Sequence, residues 1–244
     1  MSAASPQPIH KSLDLLDLRR EPVRSQAARL RRFVRRMFLR GQAVAVNGIP
    51  HRRFYVRGPK MWEYACGLAH ARAEEARDVL DFGGGATLPA YYLAARGARV
   101  RVHDIDAGLV ERSRRAARRF GWKLEASTVD LTAAELPPDC SLDLVTSFCV
   151  IEHMPHAAHR AALRRLAAAL RPGGRMVFSF ELGRDAPGEG ALRDTAAVHE
   201  LVDHLGLAWV GEPGFHDDGA RHLLDLRHPD RRFTFGMVCL EKPT

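Results

Sequence analysis

Residues 78–106, DVLDFGGGATLPAYYLAARGARVRVHDID, decide the fold. The apolar pair Val79-Leu80 leads into Asp81 and three consecutive glycines, Gly83, Gly84 and Gly85, as a strand running into a tight turn would. Pro89 to Ala95 then reads as a helix stopped by Gly97, and Val100 and Val102 alternate with Arg101 and His103 as a second strand. Asp104 falls about 20 residues after the glycine turn, where an acid can accept the ribose hydroxyls of an adenosine. The pattern is a nucleotide-binding βαβ unit, with the glycines bringing backbone close to the ligand.

A dinucleotide fingerprint starting at Gly83 requires glycine at position 88, where Leu88 stands. The run instead resembles the first motif of the class I S-adenosylmethionine-dependent methyltransferases, matched by Val79, Leu80, Asp81, Gly83 and Gly85. Four later segments are similar to that family in the same order. His103-Asp104-Ile105-Asp106 matches the acidic end of its second strand, and Ser127-Thr128-Val129-Asp130-Leu131 the end of its third. Leu142 to Phe148, followed by Ile151-Glu152-His153, matches the fourth strand and its sequel; Leu170-Arg171-Pro172-Gly173-Gly174-Arg175-Met176 matches the turn before the fifth.

The resemblance implies a doubly wound α/β fold with helices on both faces of a seven-stranded sheet, mostly parallel with an antiparallel last strand. It also implies S-adenosylmethionine as cofactor. Asp81 would anchor the glycine turn; Gly83 and Gly85 would border the methionine and ribose, with Gly84 also in the cofactor site, and Asp104 would hold the ribose. Asp130 and Leu131 would meet the adenine, Phe148 would pack at the cofactor, and Ile105 would also belong to the cofactor site.

The rest of the chain is read around that core. Residues 74–244 form the cofactor-binding core and residues 1–73 an N-terminal helical lid, within one domain. Val23, Ala27, Leu30, Val34 and Met37 recur at helical spacing among the arginines of Arg19 to Arg40, so this stretch is an amphipathic helix with a basic face. Aromatics make up 7% of the chain, and several cluster just before the cofactor unit. Tyr55, Trp62 and Tyr64 either wall the sulfonium and substrate or staple the terminal helices to the core. Downstream, a helix is expected over Ala157 to Leu170, ended by Pro172-Gly173-Gly174, then strands Met176 to Phe180, Leu207 to Val210 and Phe233 to Leu240. Residues 211–232 read as a loop carrying His216 and His222.

For catalysis, His153 follows a central strand and has the residue type whose proton exchange lies near neutrality, so it is the candidate general base. Glu152 is its candidate orienting partner, or a structural acceptor. No metal site is expected: His153, His156 and His159 lack zinc spacing, and Cys66, Cys140, Cys149 and Cys239 form no C-x-x-C pair.

The formal charge of +8 arises almost wholly from arginine, since lysine occurs only at Lys11, Lys60, Lys123 and Lys242. A base-flipping amino-methyltransferase calls for Asp or Asn-Pro-Pro-aromatic after the fourth strand, and Cys149-Val150-Ile151-Glu152-His153 stands there. The expected acceptor is therefore a small molecule, such as a natural product, sugar or phenolic metabolite, methylated at oxygen or nitrogen. The alternatives are an RNA or protein methyltransferase served by the basic helix and an adenosine-cofactor-binding protein that does not methylate. No apolar run approaches bilayer length and no signal-peptide core is seen, so a cytoplasmic location is expected.

Overall fold

The computed structural model describes residues 8–46, 48–51, 53–56, 58–130 and 141–244. In chain order the elements are β1 (Lys11–Ser12), a 3₁₀ turn (Leu15–Arg19), α1 (Val23–Leu39), β2 (Val44–Val46), β3 (Ile49–His51) and α2 (Gly58–His70). The core continues with β4 (Asp78–Phe82), α3 (Leu88–Ala95), β5 (Arg99–Asp104), α4 (Ala107–Phe120), β6 (Leu124–Thr128) and β7 (Leu142–Phe148). A second 3₁₀ turn (Ile151–His153), α5 (His156–Ala169), β8 (Leu170–Leu182), α6 (Thr195–Leu205), β9 (Ala208–Trp209) and β10 (Thr234–Glu241) complete it.

The main sheet runs β1-β10-β8-β7-β4-β5-β6, with β9 also paired to β10. Strands β6, β5, β4, β7 and β8 are mutually parallel and β10 is antiparallel to β8. All seven expected strands are present, and an eighth is contributed by the N-terminus: Lys11 and Ser12 pair with Met237 and Gly236 of β10. A two-residue strand carries no period-2 signal, so nothing in its sequence announces it.

Alternation along the strands explains the layers. Val79, Leu144 and Val177 belong to one core, with residues of α1 to α4, whereas Leu80, Val145 and Phe178 belong to the other, with α5 and α6. Helix starts and stops follow local chemistry. Thr87 caps α3, with Pro89 in its first turn; Asp106 caps α4 and left-handed Gly121 ends it; Asp194 caps α6 and Gly206 ends it. The amphipathic N-terminal helix starts at Val23, after Pro22, rather than at Arg19.

Pro172-Gly173-Gly174 does not separate helix from strand. Helix α5 ends at Ala169 and β8 already begins at Leu170, which pairs with Leu142. The register shifts between Leu142 and Leu144, and Gly174 makes that irregularity fit, since a Cβ there would stand 2.7 Å from the Leu142 carbonyl oxygen.

The chain winds from β4 outward to β6, then returns to β7 and winds the other way. Ligand crevices form at such a reversal, outside the carboxyl ends of the strands. The N-terminal segment reaches the same place: α2 packs on β7, β8 and β10, and Ala45 of β2 donates its N–H to the Ala86 carbonyl at 2.6 Å.

Candidate functional site

At the end of β4 the glycine turn is built around the protein's own carboxylates. Asp81 is 1% exposed, accepting from Thr146 Oγ1 at 2.7 Å and Thr87 Oγ1 at 2.9 Å. Burial pushes its pKa up to about 6 against the pull of those two hydroxyls, and the Asp104 charge adds to the rise. A Cβ on Gly84 would lie 2.0 Å from Asp81 Oδ2; one on Gly85 would lie 2.6 Å from Leu109 Cβ and 2.7 Å from Asp104 Oδ2. Gly83 has φ +74° and a Cβ there would meet Val150 at 2.4 Å. The three glycines thus make room first for Asp81, Asp104 and Val150, a close approach that the glycine pattern alone assigns to a ligand.

Asp104, at the end of β5, accepts from Gly85 N–H at 2.8 Å through Oδ2 and from Asp106 N–H at 2.9 Å through Oδ1. An ionised carboxylate has about four lone-pair sites, so these bonds fix its orientation and leave capacity for two further donors. Val129 N–H donates to the Asp104 carbonyl at 3.0 Å, bringing the end of β6 and Asp130 alongside. Ile105 is 70% exposed, an apolar face beside a fixed carboxylate. A nucleoside needs this combination: an acceptor for its ribose diol and an apolar plate for its base. The donor set therefore fits the adenosyl part of S-adenosylmethionine. Leu131 lies outside the described residues.

Across the strand ends lies a second group of buried polar residues. Phe148 packs on α2, 5.3 Å from the Tyr64 ring, and a Cβ on Gly67 would meet it at 2.6 Å. Cys149, with φ +55°, donates its thiol to Glu63 Oε2 at 2.9 Å. Ser179 Oγ donates to the same oxygen at 2.6 Å and Lys60 Nζ at 3.2 Å. Glu63 and Ser179 are fully buried. Burial works against the Lys60 ammonium, but nearby Cys149 and Glu63 outweigh it and hold its pKa well above the ordinary value. Burial pushes Cys149 and Tyr64 up as well.

The candidate catalytic pair does not pair. His153 is exposed and no described residue hydrogen-bonds its ring; Glu152 is buried with neither carboxylate oxygen partnered. Glu152 is therefore not an orienting partner of His153. Burial pushes the Glu152 pKa up to about 8, with Glu181 adding to the rise. The His153 pKa is held below its ordinary value by partial burial, then by the charges of Lys60 and Arg227.

The remaining expectations divide. Trp62 is fully buried and donates Nε1 to Asp17 Oδ2 at 3.0 Å, so it staples the first 3₁₀ turn to α2. Tyr64 reaches the strand ends, whereas Tyr55 is 43% exposed in a surface group with His51 and Phe54. His216 bonds through its backbone to His10 and Ser12 beside β1, so β10 separates it from β8. His222 bridges Phe233. Among the described residues no group of three or more His, Cys, Asp and Glu is arranged to hold a metal ion, and no helix is long and apolar enough to cross a membrane.

Thr87, Ser113, Thr146, Lys60, Glu63, Ser179 and Glu181 escaped the sequence reading. One signal was present for two of them: Lys60 and Glu63 stand three apart in an otherwise apolar helical run, and lysine is rare in this chain.

Residues 79–174 match the family model described as a methyltransferase domain. Among curated relatives, the ribosomal RNA small subunit methyltransferase B of Thermus thermophilus is 32% identical over 154 residues, 56% of this chain and 38% of that protein. The ubiquinone biosynthesis O-methyltransferase of Idiomarina loihiensis is 33% identical over 104 residues, 42% of each. Among solved structures, Burkholderia thailandensis 1,6-didemethyltoxoflavin-N1-methyltransferase, bound to 1,6-didemethyltoxoflavin and S-adenosylhomocysteine, superposes with a TM-score of 0.56 at 18% identity, covering 99% of this chain and 94% of that one. About two fifths of the chain thus matches a methyltransferase domain, and the fold is shared with S-adenosylmethionine-dependent methyltransferases. The chain spans about two fifths of the length of the first two curated relatives.

Proposed function

We propose that this chain transfers a methyl group from S-adenosylmethionine to oxygen or nitrogen of a small-molecule acceptor. One observation carries the reading. The polar groups facing the strand ends are enclosed by the chain's own helix α2, with Glu63 and Ser179 at 0% and Glu152 at 1% exposure. Such a buried polar cluster suits an acceptor that can be surrounded, as most ligand sites enclose their ligand.

Bound S-adenosylmethionine supplies an already activated methyl group on a sulfonium. Asp104 and the Gly84-Gly85 turn would hold the adenosyl end, with Ile105 and Asp130 beside the base and Asp81 supporting the turn. Holding the acceptor in line from α2 and the ends of β7 and β8 contributes through orientation, an effect that reaches roughly 7–11 kcal/mol in well-aligned systems. The lowered pKa of His153 favours its neutral form, the form that takes the acceptor's proton, an effect of about 10²–10⁴-fold. Glu152, pushed up to about 8, is mostly protonated at pH 7 and is not the base.

A second reading, methylation of RNA, is favoured by a different surface. Arg112, Arg115 and Arg119 of α4 line a concavity of about 670 Å³ with Phe38 and Gln42, a combination of guanidinium groups and an aromatic ring that suits a phosphate backbone and a base. The Thermus relative is named for ribosomal RNA and a 31%-identical Escherichia coli relative for tRNA. Incubation with methyl-labelled S-adenosylmethionine and, separately, a low-molecular-mass extract and total RNA decides between them. Label is expected in the low-mass fraction; label in RNA alone overturns the small-molecule reading.

A further inference from the structure

The hydrogen-bond inventory of the buried polar cluster beside α2 does not balance. Glu63 Oε2 receives three donors, from Lys60, Cys149 and Ser179, while no described residue donates to Glu63 Oε1. Both oxygens of Glu152 are likewise buried without a donor. Glu181, on the adjoining stretch of β8, keeps one bond, from Gly188 N–H at 3.1 Å. Three carboxyl groups thus share one buried ammonium, Lys60. Unpartnered carboxyl oxygens in a closed interior cost free energy unless a donor reaches them, and Glu152 limits that cost by staying mostly protonated at pH 7. Among the described residues the nearby donors converge on a single oxygen, so Glu63 Oε1 and Glu152 are open to donors from a bound ligand.

We propose that this cluster recognises the methyl acceptor, and that the acceptor is a nitrogen base whose N–H groups donate to Glu63 Oε1 and Glu152. The proposal rests on the methyltransferase reading and narrows it. An acceptor carrying a carboxylate or phosphate would meet three acids and one ammonium, whereas an amine, amidine or amino-heterocycle supplies both the donors and the charge that are lacking. A hydroxyl acceptor brings one donor to three bare oxygens. Binding must also couple to protons. The charged or titratable groups that act on Glu152 are Glu181 from β8, Lys60 from α2 and Cys149 from its own segment; Glu63 and Tyr64 adjoin Lys60, and Asp225 and Arg227 of the following loop act on Glu181. Among them Glu152 changes charge near pH 8. A cation draws out its ionised form, so affinity rises with pH, by up to about tenfold per unit below that point.

The test uses the full-length protein saturated with S-adenosylhomocysteine and titrated with benzamidine, benzylamine and 2-aminobenzimidazole, against benzyl alcohol and benzoate, by ligand-observed NMR. Binding by at least one nitrogen base, and at least tenfold weaker binding by the alcohol and the acid, is expected. Affinity for benzamidine should rise from about pH 6 to about pH 8, and Glu152→Gln should flatten that rise while leaving S-adenosylhomocysteine binding intact. Glu63→Gln provides the independent variant if the first does not fold. Equal binding of alcohol and amine, or no binding of any nitrogen base, overturns the proposal. So does an equal loss of S-adenosylhomocysteine affinity in Glu152→Gln, because the donors would then belong to the cofactor. Failure of the wild type to bind S-adenosylhomocysteine instead overturns the methyltransferase reading.

Discussion

The two sides of the strand-end crevice are built on opposite terms. On the cofactor side every named polar group is satisfied from within: Asp81 by two threonines, Asp104 by two backbone N–H groups, Ala86 N–H by Ser113 Oγ at 2.8 Å. On the acceptor side Glu63 is half satisfied and Glu152 not at all. The first surface is fixed in orientation before its ligand arrives; the second is completed by one. Ground-state order on one side and unmet hydrogen bonding on the other is the arrangement expected where one ligand is shared by a whole family and the other is particular to this chain.

The largest expected effect breaks the fixed side. Gly84→Ala places a methyl group 2.0 Å from Asp81 Oδ2, forcing the turn off its carboxylate. Chemical denaturation should register a loss of about 3 kcal/mol, with loss of S-adenosylhomocysteine binding. A variant as stable as wild type would mean that the turn and Asp81 are not in contact.

On the unfinished side, His153→Ala should lower turnover by about 10²-fold while cofactor affinity stays near normal, since the exposed ring supports nothing. Steady-state kinetics with any confirmed acceptor checks this. Near-wild-type turnover at neutral pH would leave catalysis to positioning alone.

Glu152 gives the next effect, through pH. Its pKa is raised on folding from an ordinary 4.5 to about 8, so the folded state binds the proton more tightly. The stability this confers is fully present below about pH 4.5 and is lost as pH rises toward 8. Glu152→Gln removes the burden of ionising a buried acid. Its melting temperature should exceed that of wild type by roughly 4 °C or more at pH 8 and match it at pH 4.5. Equal melting temperatures at pH 8 would show that Glu152 is solvated.

The smallest effect tests a residue that belongs to neither surface. Trp62→Phe removes the donor to Asp17 Oδ2 but leaves Lys11 at 3.2 Å from Oδ1. The expected loss is about 1 kcal/mol of stability with unchanged cofactor affinity. A drop in acceptor affinity without a stability change would return Trp62 to the acceptor wall.

The same division governs what could be read from the chain itself. Strands β4 to β8, the glycine turn and Asp104 were legible because each combines a local periodicity with a short motif of fixed spacing. Strand β1 was not, because two residues become a strand only through pairing with β10, more than 220 positions away. The extension of β8 back to Leu170 was hidden by Pro172 and two glycines, residues that ordinarily mark a turn and here accommodate a register shift. The acceptor cluster was least legible. Lys60 and Glu63, Cys149 and Glu152, and Ser179 and Glu181 come from three separate segments, and only tertiary folding reveals which oxygens are left without donors. Reading Glu152 beside His153 as a pair followed adjacency in sequence, but the 3₁₀ turn buries one and exposes the other.

The central claim is that Asp104 and the glycine turn form an adenosyl site for S-adenosylmethionine and not for a nicotinamide dinucleotide. Calorimetric titration with S-adenosylhomocysteine and with NADH, on wild type and Asp104→Ala, tests it most directly. Saturable binding of S-adenosylhomocysteine is expected, weakened at least about tenfold by the substitution, because hydrogen bonds to a charged acceptor contribute roughly 1.5–3 kcal/mol each. Binding of NADH with no binding of S-adenosylhomocysteine would contradict the account, and an unchanged affinity in Asp104→Ala would move the ribose contact elsewhere.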